Sequence, residues 1–142
     1  MKPDDEVLGA VGLSTMSVRP GDTSLAMGLS DLPVVATSQI LHIVESAAVA
    51  SLSEFLDPGE TTYLLASTIE LFATAQVGDQ LRATSRCSQI EPLGASAREL
   101  TFECSVYSEE RLIATSTIKR ATVERVSFLA RTAAQELLAE GL

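Results

Sequence analysis

The chain has 142 residues and a mass of 15.0 kDa, enough for one domain with a sizeable core. Two cysteines and one histidine exclude a self-contained zinc site of the four-ligand Cys/His type, and leave histidine chemistry with His42 alone. A net charge of −9, from 10 Lys+Arg against 19 Asp+Glu, argues against nucleic-acid and anionic-membrane partners, which need a cationic surface.

The charge is uneven. Residues 1–81 hold only Lys2 and Arg19 against eleven acids, whereas residues 82–142 hold eight of each sign. An anion-binding site therefore belongs to the second half, unless those cations form an ordinary solvated surface. Cys87 and Cys104 have no metal or redox spacing and sit in strand-like runs, so they read as buried free thiols of a reduced cytoplasm. The start, Met1-Lys2-Pro3-Asp4-Asp5-Glu6, lacks the apolar core of a secretory signal. No apolar run reaches the roughly 18 residues of a membrane span. Residues 1–10 are expected to be a flexible N-terminus on a single domain spanning 1–142.

In chain order, the first predicted strand is Leu13–Val18, stopped by the turn Arg19-Pro20-Gly21-Asp22. A short extended piece, Thr23–Met27, and a loop through Gly28–Asp31 follow. Pro33 biases Leu32–Val35 to extended backbone. Thr37 or Ser38 then caps a helix that runs to about Leu56 and stops at Asp57-Pro58-Gly59. At 100° per residue, Leu41, Val44, Ala48, Leu52 and Phe55 form its expected core stripe. The other faces are also rather apolar, so other structure should wrap this helix.

The remainder reads as a meander. Strands are predicted at Thr61–Ala73, Gln80–Ile90, around Leu100–Tyr107, and at Arg111–Val123, with a final helix at Glu124–Glu140. Leu100, Phe102, Cys104 and Val106 alternate with Thr101, Glu103, Ser105 and Tyr107, a half-buried strand pattern. The class is α+β: a curved antiparallel sheet around a long central helix, with a C-terminal helix. Such a sheet leaves an unpaired edge strand, so a homodimer is expected.

Three helix residues carry candidate chemistry. Glu45 lies at the margin of the core stripe, where a carboxylate acts as a base in a pocket or reaches solvent or an arginine. Thr37 is a helix cap, or a hydroxyl at the positive helix end able to hold a carbonyl or anion. His42 lies about 60° from Glu45 around the helix, toward Ser46 and Ser53, and reads as solvent-facing or interfacial. No serine-hydrolase elbow, phosphate-cradling glycine loop or dinucleotide fingerprint is present.

The stretches LPVVATSQILHIVESAAVASL, LDPGETTYLLASTIELFATAQVG and STIKRATVERVSFLAR resemble the fluoroacetyl-coenzyme A thioesterase-like branch of the hot-dog fold superfamily, over roughly residues 10–131. That branch uses a threonine at the helix start, a glutamate eight residues on, and a histidine in the next strand. The resemblance places the threonine at Thr37 and the glutamate at Glu45. The histidine position, seven residues before the glycine of the Gln76-Val77-Gly78 turn, is Leu71; its neighbour Glu70 points to the other face by strand alternation. A glycine common in the family maps to Leu64, and the histidine of a closing G-T-H-x-R motif maps to Ile118.

The resemblance implies a drier, narrower pocket and a thioesterase-like protein acting on a small or apolar acyl-CoA, with Glu45 as base and Thr37 at the helix N-terminus. Loss of an activating base typically costs about 10²–10⁴ in rate. The alternative is therefore a non-catalytic binder of an acyl thioester or small ligand. Leu64, Leu71 and Ile118 would line the pocket, and Arg120, with Arg82, Arg86 and Lys119, would contact coenzyme A phosphates or remain surface charges. No metal or cofactor is implied, and a cytoplasmic homodimer is expected.

Overall fold

The alternation of Leu100, Phe102, Cys104 and Val106 becomes the buried face of a central strand in the computed structural model, which describes residues 1–139. The elements are α1 (Asp4–Val7), β1 (Val11–Ser17), a 3-10 turn (Pro20–Asp22), α2 (Thr37–Leu52), β2 (Glu60–Leu71), β3 (Gln80–Leu93), β4 (Ala97–Ser108), β5 (Arg111–Glu124) and α3 (Arg125–Ala139). The strands form one antiparallel sheet in the order β1-β3-β4-β5-β2. Helix α2 joins the two edge strands and crosses one face of the sheet. None of the described helices is long and apolar enough to cross a membrane.

The helix is rotated from its expected setting. Val44, Ala48 and Leu52 are buried, but Leu41 and Phe55 are only half-buried, while Ile40, Ile43 and Ala47 are fully enclosed. The cause lies in β1. Gly12 faces Ala47 and Ser51 so closely that β1 touches the helix backbone, which draws the Ile43–Ala47 side inward. The helix also stops at Leu52, four residues early, and a turn carries the chain to Asp57-Pro58-Gly59, where Gly59 has φ +82°.

Three other expectations are corrected. Thr37 is the first helical residue and not the cap; Ala36 holds the cap position without a side-chain hydrogen bond. The helix start is tethered to the Pro20–Asp22 turn instead: Ala36 N–H donates to the Asp22 carbonyl at 2.9 Å, and Gln39 Nε2 donates to Asp22 Oδ1 at 3.1 Å. Thr23–Met27 makes only a single bridge, Thr23 with Val35, because the chain turns immediately afterwards. Residues 1–10 are packed down: Val7 is fully buried, Lys2 N–H donates to Phe55 O and Gly9 N–H to Cys87 O, both at 2.8 Å.

The buried thiols Cys87 and Cys104 lie on the helix-facing side of β3 and β4, and burial pushes both up from the ordinary cysteine value. Both stay protonated and shielded at neutral pH, so a thiol reagent should label neither in the native protein and both after denaturation. Labelling of either on mixing would contradict this packing. A raised folded-state value means these thiols favour the fold below their unfolded value of about 8.5, and that contribution disappears as pH rises through the folded value. At the other end of the sheet, Glu124 caps α3 by accepting Ser127 N–H at 2.7 Å and Val126 N–H at 3.2 Å, which holds its carboxyl below the usual range.

Candidate functional site

Residues directly opposite each other in a ladder share a face. A β-bulge between Leu64 and Ala66 inserts Leu65 and resets the alternation of β2. Leu64 opposes Arg120, Ser67 opposes Ile118, Ile69 opposes Ser116, and Leu71 opposes Ala114. Because Ile118 and Ala114 belong to the core, this side of β2 is the side that faces α2. Leu64, Leu71, Ile118 and Arg120 therefore share one face. Glu70 opposes Thr115 and lies on the convex side, in a shallow groove with Glu103 and Thr117. It is separated from the helix, as strand alternation requires.

The densest polar cluster on the helix side is Glu45–Arg120–Thr62. Arg120 Nη1 donates to Glu45 Oε1 at 2.7 Å, Nε donates to Thr62 Oγ1 at 3.0 Å, and Nη2 donates to the Thr62 carbonyl at 3.0 Å. The Arg120 side chain is 9 % exposed and that of Glu45 is 31 % exposed. A buried guanidinium with three directed bonds is a rigid fork, and it fixes one oxygen of a carboxylate whose side chain remains partly exposed. Arg120 is expected either on coenzyme A phosphates or among the surface charges; its donors are instead spent inside the fold on Glu45 and Thr62. Among the other cations, Lys119 pairs with Glu99 at 3.5 Å, Arg82 lies over the Tyr107 ring at 5.7 Å, and Arg86 is exposed.

Ile118 is fully buried, Leu64 is half-buried, and Leu71 is exposed at the far end of β2 beside Phe72. Thr37 is exposed at the helix start. Eight residues of helix put Thr37 about 12 Å from Glu45 along the axis. Within one chain the residues form two patches: Glu45, Arg120, Thr62 and Leu64 in one, Thr37 in another. His42 turns to the β1 side of α2, where it lines a groove of about 560 Å³ with Met16, Arg19, Asp22 and Gln39. It is exposed and separate from Arg120.

Sequence reasoning missed two residues of this arrangement. Thr62 is one of several threonines in β2, and nothing local marks the one that meets an arginine on β5. Asp22 was read only as a turn residue; its buried carboxylate also accepts Arg19 N–H at 2.9 Å and anchors the start of α2 through Gln39.

A curved antiparallel sheet in this order, crossed by one long helix between its edge strands, is the hot-dog fold of the thioesterase superfamily. The chain belongs to the fluoroacetyl-CoA-specific thioesterase family, whose model matches residues 18–126. A thioesterase superfamily member from Thermus thermophilus is 19 % identical with a TM-score of 0.83, covering 95 % of this chain and 96 % of its own. A variant of the fluoroacetyl-CoA-specific thioesterase FlK is 22 % identical with a TM-score of 0.79, covering 90 % and 96 %. A hot-dog-like protein from Thermanaerovibrio acidaminovorans is 18 % identical with a TM-score of 0.79, covering 92 % and 95 %. These structural likenesses establish the fold. No curated protein sequence matches the chain.

Proposed function

We propose that this protein is a homodimeric acyl-CoA thioesterase of the cytoplasm that hydrolyses a small or apolar acyl thioester, with Glu45 as general base. The observation that carries the reading is the fixed, partly exposed Glu45 carboxylate, one oxygen of which is held at 2.7 Å by Arg120. A water bound to that carboxylate attacks the thioester carbon, and its proton passes to Glu45. The tetrahedral oxyanion collapses, the C–S bond breaks, and the coenzyme A thiolate leaves and takes the proton. Thr37 and the N–H groups at the start of α2 supply oxyanion donors.

The 12 Å between Thr37 and Glu45 prevents both from touching one thioester within a chain. Two chains remove the problem. Edge strand β2 leaves Leu65 and Phe72 exposed, and antiparallel pairing of two β2 edges sets the Leu64 end of one strand toward the Leu71 end of the other. Glu45 of one chain then serves the same pocket as Thr37 of the second. Leu64 and Leu71 make its walls apolar, with Ile118 buried beneath them in the core. Related FlK structures include a complex with acetyl-CoA and one with fluoroacetate and CoA, which supports a coenzyme A ester as ligand class.

The second reading, a binder without turnover, is favoured by Leu71 at the place where the family resemblance puts a histidine. Release of free coenzyme A from short, aryl and medium-chain acyl-CoA esters separates the two. Turnover that falls about 10²–10⁴-fold in Glu45→Ala is the expected result. Turnover that survives this change removes Glu45 from the mechanism. Saturable binding with no hydrolysis of any ester establishes the binder.

A further inference from the structure

Helix α3 touches its own domain with the wrong face for burial. Phe128 meets Tyr63 with ring centroids 5.0 Å apart, and Ser127 and Arg131 border the groove beside the β3–β4 turn. At 100° per residue, Val126, Leu129, Ala133 and Leu137 occupy an arc of about 80° on the other side of the helix. Val126 is 72 % exposed, Leu129 59 % and Leu137 52 %. A 15-residue helix carrying such a stripe is marginal in water unless something covers it.

We infer that a second copy of this chain covers the stripe, with the two α3 helices packed antiparallel about a two-fold axis. Charge selects this partner and this direction. Arg125 and Glu136 flank the stripe on the same margin, three turns apart and opposite in sign. Parallel pairing sets the Arg125–Glu136 margin against the uncharged Ala130–Ala134 margin of the second copy, whereas antiparallel pairing sets Arg125 beside Glu136 at both ends. A two-fold contact needs this self-complementarity. The same alignment sets Leu129 against Ala133, large against small, in its central layers. A membrane surface fits poorly, because the chain carries −9 and α3 offers only Arg125 and Arg131 to anionic lipid.

Each α3 is about 22 Å long, a small contact that works beside a larger one. With the β2 seam of the proposed function, two two-fold interfaces give a four-chain assembly; that count rests on the earlier proposal, while the α3 contact does not. Light scattering of the whole protein separates them. The wild type should have a four-chain mass, Leu129→Glu a two-chain mass, and Ser67→Pro, which removes an outward-facing edge donor on β2, likewise a two-chain mass. If Leu129→Glu leaves the wild-type mass unchanged, the α3 pairing is overturned. If Ser67→Pro leaves it unchanged while Leu129→Glu halves it, the β2 seam falls and the α3 pairing stands.

Oxidative cross-linking tests the direction. Ala130→Cys lies beside the two-fold axis and should form a disulfide-linked dimer, with Cys87 and Cys104 silent because they are buried. Val126→Cys should not, since antiparallel packing sets it about 15 Å from its own copy along the pair. Equal cross-linking at both positions would overturn the antiparallel arrangement.

Discussion

Gly12→Ala lowers the thermal midpoint by roughly 10 °C. A Cβ at position 12 would stand 1.9 Å from the Ala47 carbonyl oxygen and 2.6 Å from Ser51 N. Both obstacles are helix backbone, so no side chain can swing aside. Gly12 is not among the positive-φ glycines, and the penalty is therefore steric and not conformational. Strand β1 must move off α2, or α2 must move off the sheet, and either opens the layer holding Ile43 and Ala47. Overpacking of a core costs about 1–3 kcal/mol and occasionally more, and a rigid obstacle places this change at the upper end. For a chain of this size, about 3 kcal/mol corresponds to roughly 10 °C. Gly21→Ala is the control: nothing lies within 4 Å of its added Cβ, and its midpoint should stay within about 2 °C of wild type. Circular dichroism melts of both variants decide the matter, and a Gly12→Ala midpoint that matches the Gly21→Ala one would show that β1 and α2 are not in backbone contact.

That glycine also explains which parts of the fold were legible in the sequence. Periodicity located α2 and the alternating strand β4, because a 3.6- or 2-residue repeat is written locally and survives packing. It did not fix how α2 is turned about its axis. Nearly every face of that helix is apolar, so the buried face depends on where β1 comes closest, and that depends on Gly12, 35 residues before Ala47. The bulge at Leu65 is similar. Plain alternation through Thr61–Leu71 puts Leu64 and Leu71 on opposite faces, and only the inserted residue returns them to one side.

Within the site, Glu45 was legible as a misplaced carboxylate, and an arginine partner was among its expected alternatives. Which arginine was not, since Arg120 is 75 positions away and its burial follows from strand pairing. Helix α3 was legible as an element and its outward apolar stripe was not, since periodicity reveals that a face is apolar but not what it faces.

Arg120→Lys and Glu45→Gln test the site as a unit. Glutamine keeps a carbonyl oxygen for Arg120 Nη1 and loses the basic oxygen, so Glu45→Gln should fold normally and lose about 10²–10⁴ in kcat. Lysine keeps the charge of Arg120 but lacks the planar fork that reaches Glu45 and both oxygens of Thr62 at once. Its ammonium satisfies some of these partners and releases the others, and the carboxylate loses its fixed direction. We expect kcat to fall by about 10–10² in Arg120→Lys, with KM little changed, because a misaligned base slows the proton transfer and leaves ligand contacts intact.

The double variant separates a positioning arginine from a ligand contact. If Arg120 acts only through Glu45, adding Arg120→Lys to Glu45→Gln costs almost nothing further, since residues acting as one unit are not additive. If Arg120 holds a coenzyme A phosphate, its loss raises KM for acyl-CoA by a similar factor in both backgrounds and leaves kcat alone. The buried fork predicts the first pattern. Steady-state kinetics on the four proteins, each checked for its melting point, distinguish a carboxylate held ready for a water from an ion pair that only closes the space between α2 and β5.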